Sequence, residues 1–430
     1  MIKKLVILLA FLLITSPSFA LTKQVITGRQ NTSSSASATQ YLPPMCGGTQ
    51  CTYQTTRALA EGPWPTAATI SNFCIELTTA PANGAGTQSY VYTIYVNGSA
   101  TALVLTFEET DAPMECDNVN TASITAGQPL TIETVPSGTP AVTGVKYSYT
   151  STSTTAGESV FVWAPGSTNM NAAQNNRRIF PGGSAVWQVA DDARFMSPTT
   201  GTIKNLYGVL SADPDNGAGV DSYIITVNEN GSASSMTFTA ADGQTSGSDL
   251  VNTIAAIPGD TYSINQISTG SPTATTLGGS ILFLSAVDGE FPVPGNFAVN
   301  TTSSVYGSLG WSSSSTTETG RDSLAGTTFT AKNIYVGLSA AVDADGSVVL
   351  TLREETITST AETCTVGSAA QTCNATTDVT VTSGNTYDTL SAPSTTPGTP
   401  QIWVAYLGFI QPAATSTAIQ AATFQGVTIN

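Results

Sequence analysis

The chain has 430 residues, of which only 10% are charged, with 13 Lys and Arg against 29 Asp and Glu and no histidine. A formal charge of −16 excludes a surface that tracks nucleic-acid phosphates, since such surfaces cluster Lys and Arg, and beyond Lys3-Lys4 the only basic pair is Arg177-Arg178. The absence of histidine removes Ser-His-Asp and Cys-His triads and every His-ligated metal centre.

Taken from its start, residues 1–20 read as a signal peptide: Lys3-Lys4, an apolar stretch from Leu5 to Ile14, and Ser18-Phe19-Ala20 as a small-residue cleavage site. Cleavage there leaves 11 basic residues against 29 acidic ones, a charge of −18. The apolar stretch is too short to span a bilayer and no apolar run of about eighteen residues follows, so a secreted protein of the extracellular space or cell surface is expected, with no membrane span. Charged residues give way to Ser, Thr, Gly and Ala among abundant Val, Ile and Tyr, which predicts an all-β chain.

A unit of roughly 130 residues then appears three times, long enough for a domain with its own core. Asn72, Asn205 and Asn333 each open an apolar run, in Asn72-Phe73-Cys74-Ile75, Asn205-Leu206-Tyr207-Gly208 and Asn333-Ile334-Tyr335-Val336, at spacings of 133 and 128. Turn glycines Gly127, Gly259 and Gly384 keep step with them. Asn97-Gly98 and Asn230-Gly231 between alternating apolar runs predict tight hairpins. Each unit accommodates about eight short antiparallel strands, the size of a sandwich or jelly roll. The expected organisation is a signal peptide at 1–20, a flexible lead-in at 21–37, jelly-roll or β-sandwich domains at 38–155, 156–290 and 291–412, and a strand-like tail at 413–430. Three such domains can pack about a pseudo-threefold axis or follow one another as beads.

The Asn-Leu-Tyr-like strand, the Gly-rich turn, the Ser-Tyr-x-x-Thr strand ending in Asn-Gly and the Gly-Asp turn before Ser-Gly-Thr-Pro resemble tandem modules of uncharacterised secreted bacterial and phage-associated surface proteins, of the C1q and tumour-necrosis-factor type of jelly roll. The resemblance implies a fold and a surface setting and carries no catalytic residues.

Six cysteines in a secreted chain predict three disulfides. Cys116 and Cys373 each stand eleven residues before a turn glycine, one structural position in units one and three, which assigns Cys74–Cys116, Cys364–Cys373 and the short loop Cys46–Cys51. Glu108-Glu109-Thr110 and Glu354-Glu355-Thr356 look like a repeated acid pair, but they fall on different strands of their units and are expected to be solvated strand ends. Asp213 and Asp215, with Asp343 and Asp345 at the same turn of unit three, offer alternating oxygen ligands suited to calcium, set against ordinary Asp turn chemistry; no other cofactor is expected. Trp64, between Pro63 and Pro65, is the candidate for stacking on a glycan, set against a Trp that pins its loop to the core. Together these features predict a secreted structural or adhesive surface protein without enzymatic activity, its partners being further copies or other surface proteins. In its most specific form it is a filament or appendage subunit assembled by β-strand addition, with the tail or Thr22 to Thr27 as the added strand. A carbohydrate-binding, lectin-like protein is the alternative.

Overall fold

The computed structural model describes residues 21–410 apart from 31–32, 47–51, 83–86, 110, 112, 167, 171–176, 180–193, 216, 218–219, 299, 301, 308–313, 318–321, 356–357 and 395–400. The expected signal peptide, the strand-like tail at 413–430 and Cys51 lie outside the described residues. Among those residues there is no α-helix, only one 3-10 turn at Arg57–Leu59, and no helix is long and apolar enough to cross a membrane.

The chain is an all-β assembly of antiparallel sandwiches. The first contains β1 (Lys23–Gln30), β2 (Gln40–Leu42), β3 (Gly62–Pro63), β4 (Ala68–Leu77), β5 (Ser89–Val96), β6 (Ser99–Glu108), β7 (Met114–Asp117), β8 (Ala122–Ile124), β9 (Pro129–Ser137) and β10 (Val145–Ser153). The second contains β11 (Glu158–Trp163), β12 (Arg177–Ile179), β13 (Phe195–Met196), β14 (Gly201–Leu210), β15 (Ser222–Glu229), β16 (Ser232–Ala241), β17 (Ser246–Asp249), β18 (Ile254–Ala256), β19 (Thr261–Thr269) and β20 (Leu277–Ser285). The third contains β21 (Glu290–Ala298), β22 (Val305–Gly307), β23 (Ser314–Ser315), β24 (Ser323–Leu324), β25 (Phe329–Leu338), β26 (Val348–Glu354), β27 (Thr358–Val366), β28 (Thr372–Ala375), β29 (Val379–Val381), β30 (Thr386–Pro393) and β31 (Gln401–Phe409).

Each sandwich faces an inner sheet, β1-β10-β4-β7, β11-β20-β14-β17 or β21-β31-β25-β28, against an outer one, β2-β9-β5-β6, β12-β19-β15-β16 or β22-β30-β26-β27. First strand beside last and second beside next-to-last is jelly-roll order. The stretch expected to be a flexible lead-in instead supplies β1, which pairs residue for residue with β10 from Lys23↔Thr152 to Gln30↔Val145. Thr22 to Thr27 are therefore engaged within their own chain, where they complete the first inner sheet.

The repeated sequence marks have physical causes. Asn72 and Asn205 adopt φ of 50° and 56°, the left-handed region that Asn tolerates better than most residues, at a bulge where the pairing of β4 with β10 and of β14 with β20 slips. Pairing of β25 with β31 slips at Asn333 as well. Gly127, Gly259 and Gly384 have φ of 82°, 94° and 90°, and their N–H groups donate to the carbonyls of Trp64, Ser197 and Ala325. Within β5, Tyr90, Tyr92, Ile94 and Val96 are buried and alternate with half-buried neighbours, as a sheet with one core face requires.

The inner sheets are buried on both faces. In β10, Val145, Tyr147 and Tyr149 point into the first core, and Tyr147 lies so close over Gly28 that a Cβ there would stand 1.7 Å from its ring. On the opposite face Lys146, Ser148 and Thr150 are just as buried, against sandwich three. Val160, Val162 and Leu282 of sandwich two join the core of sandwich one, and Val25 of sandwich one joins that of sandwich three. The leading strands β1, β11 and β21 touch one another, so the three sandwiches close a ring about a pseudo-threefold axis.

The same segments form all three seams. Thr66 donates to Glu158 at 2.7 Å, and Glu158 also meets Lys204 at 3.0 Å; Thr199 donates to Glu290 at 3.1 Å, with Lys332 3.8 Å from that carboxylate. At the third seam Thr327, the equivalent of Thr66 and Thr199, meets Thr150 at 2.8 Å and accepts from Asn72 at 3.0 Å. Charge pairing there moves to Asp322, which binds Arg29 at 2.5 Å and Lys146 at 2.6 Å, while Lys146 also reaches Glu76 at 2.8 Å. On the axis the Thr22 hydroxyl accepts from the N–H groups of Gly157 and Gly289, the residues that precede β11 and β21.

Two outcomes are expected. Asp322→Ala takes from two buried cations the carboxylate they share, at a cost of about 3–5 kcal/mol, and should lower the melting temperature of the whole chain; an unchanged melt would mean that this seam bears no load. Glu362, fully buried on β27, occupies the core position held by Leu103 and Met236 in the other sandwiches. Burial first and the Asp378 carboxylate second push its carboxyl from 4.5 up to about 8. Between those pH values the folded chain keeps a proton that the unfolded chain releases. Stability from this group should therefore fall as pH rises, by about 1.4 kcal/mol per unit. Melting curves from pH 4.5 to 8 should show that slope in the native chain and lose it in Glu362→Gln.

Candidate functional site

The turn acids do not converge. The Asp213 carboxylate accepts from the backbone N–H groups of Asp215 and Gly243, both at 3.0 Å, and Asp215 accepts from Gly217 at 2.5 Å. Asp343 contributes a carbonyl to the N–H of Gly346, and Asp345 shares that turn. These are the bonds of ordinary Asp turns. Among the described residues no three His, Cys, Asp or Glu side chains form a group that fits a metal ion. The Asp242 carboxyl is pushed up by Asp215 first, then by desolvation, Asp213 and Asp221.

Trp64 is fully buried in the first core, its backbone paired with Gln128 and Gly127. It cannot stack on a ligand without unfolding its sandwich, and the flanking prolines fix a core loop.

Two of the three expected cysteine pairs form among the described residues. Cys74–Cys116 joins adjacent strands β4 and β7, and Cys364–Cys373 joins β27 of one sheet to β28 of the other. Cys46 is also disulfide-bonded. The equivalent Cys116 and Cys373 do different work because their pairing differs by one residue: Cys116 sits opposite Cys74, but Cys373 sits opposite Val336 rather than Tyr335. That slip turns the side chain to the other face. Cys364 and Cys373 thus lie in the core of sandwich three, while the Cys74 sulfur is 4.0 Å from the Gly326 carbonyl across the third seam. Tyr207 and Tyr335 hold the Cys74 position at the other seams, Tyr207 beside Gly127 and Tyr335 against Met196.

The corner closed by Cys364–Cys373 is held in the other sandwiches by aspartates that the sequence reading overlooked. Asp249 accepts from the N–H groups of Thr237 on edge strand β16, Val251 and Asn252 and from the Asn252 side chain, at 2.9–3.1 Å. Asp117 does the same for Val104, Val119 and Asn120. Partial burial works against charge on both, yet these hydrogen bonds outweigh it and hold both carboxyls low. The signal was present in the repeated Asp-x-Val-Asn, which sandwich three replaces with Asn374-Ala375-Thr376-Thr377.

Two clefts open at equivalent seams. One, of about 360 Å³, lies between sandwiches one and two, walled by Leu59, Pro63, Pro129, Val209 and Leu210 with Glu61 at its side. The other, about 280 Å³, lies between sandwiches two and three at Met196, Gly259 and Tyr335. Beside the larger cleft, on the solvent side of the first outer sheet, side chains from three strands and the 3-10 turn gather. Tyr41 of β2 faces Glu133 of β9, which faces Thr93 of β5, and Tyr95 is two residues along β5. The Glu133 carboxylate lies between the two phenols and acts on both. Burial first and Glu133 second push the Tyr41 phenol up; for Tyr95 Glu133 comes first. Arg57 donates to the Gly98 carbonyl at 3.2 Å and pairs with Glu61 at 2.9 Å. In the sequence the only hint was Glu133, the one acid in the run Leu130 to Val135.

No protein-family model and no curated protein matches this chain. Its function is therefore argued from its own surfaces.

The burial of Trp64 gives a direct test. Trp64→Ala should cost about 3–5 kcal/mol through lost burial and a cavity, visible as a large fall in melting temperature. A variant that melts like the native chain would return Trp64 to the surface.

Proposed function

We propose that the chain is a structural or adhesive protein of the cell exterior that presents a three-lobed head. The observation that supports this most is that the three sandwiches meet at one axis, along β1, β11 and β21. There Thr22 accepts from the Gly289 N–H, and Ile410 donates to the Gly289 carbonyl. The strand ends at Leu77, Ser137, Leu210 and Leu338 lie remote from that point, and the turns that follow them leave from there. A head attached near the axis would hold these turns outward. Disulfides, sparse charge and interiors rich in hydrogen-bonded Ser and Thr suit a protein that must persist outside the cell.

Assembly by strand addition is a narrower form of the same proposal. The outer edge strands β6 and β16 each carry a bulge and an aspartate over an edge N–H, two devices that discourage a further strand. Edge β27 keeps the bulge but has Asn374 in place of the aspartate, which makes it the most accessible acceptor for a tail strand. No residue is proposed as catalytic.

Fractionation of native cells with thiol labelling tests the reading. The chain should appear in the extracellular or surface fraction with its cysteines oxidised, and electron microscopy should show three-lobed particles, single or in filaments. A cytoplasmic chain with free thiols would overturn it.

A further inference from the structure

We propose that the face formed by Tyr41, Tyr95, Glu133 and Arg57, together with the adjoining cleft, binds a neutral saccharide. The inference rests on the adhesive reading and names the ligand class of such a head. Four observations support it. The carboxylate between the phenols is particular to sandwich one: by strand register Tyr95 and Glu133 correspond to the buried Asn228 and Asn265 in sandwich two and to the buried Arg353 and to Leu390 in sandwich three. Sandwich three keeps an aromatic at the Tyr41 position, Tyr306, but sets the Arg353 guanidinium 5.4 Å from its ring centre, so of the three it is sandwich one that places two phenols beside a carboxylate.

Second, hydrogen-bonding capacity remains. A carboxylate offers about four acceptor positions and a guanidinium five N–H donors. Two phenols flank the first at Glu133, while the Gly98 carbonyl and Glu61 take part of the second at Arg57. An acceptor-rich carboxylate beside a donor-rich guanidinium matches the paired hydroxyls of a sugar ring, which both donate and accept.

Third, Tyr41 and Tyr95 stand on one face of the sheet on either side of Glu133, and their rings present amphipathic surface suited to the C–H face of a pyranose. The cleft of about 360 Å³ continues from Glu61 along Leu59 and Pro63, and gives the ligand a concave wall of the size small-molecule sites require. Fourth, Glu133 and Glu61 outnumber Arg57 within the cluster and the chain carries −16 overall, so an anionic glycan would meet repulsion.

The test uses the full chain on an array of neutral and acidic mono- and oligosaccharides, with and without chelator, followed by titration calorimetry of the best neutral probe. Chelator-independent binding of a neutral saccharide is expected. Tyr95→Ala and Glu133→Gln should each weaken it by about tenfold or more with an unchanged melting curve, and Tyr95→Phe, which keeps the ring, should retain most of the affinity. No binding to the array, binding confined to acidic glycans, or neutral binding that survives both substitutions would overturn the inference. Failure of the adhesive reading itself would show separately, as a chain absent from the cell exterior.

Discussion

Everything in this molecule depends on inner sheets that are covered on both faces. A β-sheet with one apolar face needs one partner, and the outer sheets have it. The inner sheets have a second face of Lys146, Ser148 and Thr150, or of Val160, Val162 and Leu282, that is also removed from water. In the first inner sheet the polar groups of this face find partners across the seam: Ser148 accepts from the Gly326 N–H, Thr150 meets Thr327, and Lys146 binds Asp322. A buried hydroxyl left unpaired would cost more than its bond contributes, so the neighbouring sandwich is required rather than optional. Three such requirements, each met by the next sandwich, close the ring.

The bulge asparagines convert local geometry into that ring. A left-handed residue in mid-strand twists β4 and β14 and aims an amide outward, and these amides reach the next sandwich: Asn72 to Thr327, Asn205 to the Pro65 carbonyl. Divergence at the seams is then intelligible. One position carries Cys74, Tyr207 or Tyr335 according to what it must fill, and the corner between edge strand and opposite sheet is closed by Asp117, by Asp249 or by Cys364–Cys373. The repeat preserves the task and varies the chemistry.

Strand order, hairpins and two disulfides were legible because they depend on local signals: Asn-Gly with positive φ, alternation in Tyr90–Val96, spacing of Cys116 and Cys373 from the turn glycines. The interfaces were not. Lys146-Tyr147-Ser148-Tyr149-Thr150 alternates as a strand with one wet face would, and nothing local distinguishes a serine that meets water from one that meets another domain. The strand Lys23–Gln30 was misplaced for the same reason, since it is buried beside β10, more than a hundred residues away, and Trp64 took the core-pinning alternative of its two readings. The Tyr41, Tyr95 and Glu133 face was invisible because its members come from three strands that are adjacent only in the sheet.

A scaffold of this kind leaves function to what departs from the repeat. Glu362 in a core, Asp322 at one seam only, and Glu133 between two phenols of sandwich one are all such departures. The central claim is that three sandwiches behave as one cooperative body, although each is long enough for a core of its own. Calorimetric unfolding of the full chain with its disulfides intact tests it most directly. The account predicts a single transition whose calorimetric and van't Hoff enthalpies agree. Separate transitions, or a calorimetric enthalpy about three times the van't Hoff value, would show that the sandwiches unfold independently and would contradict it.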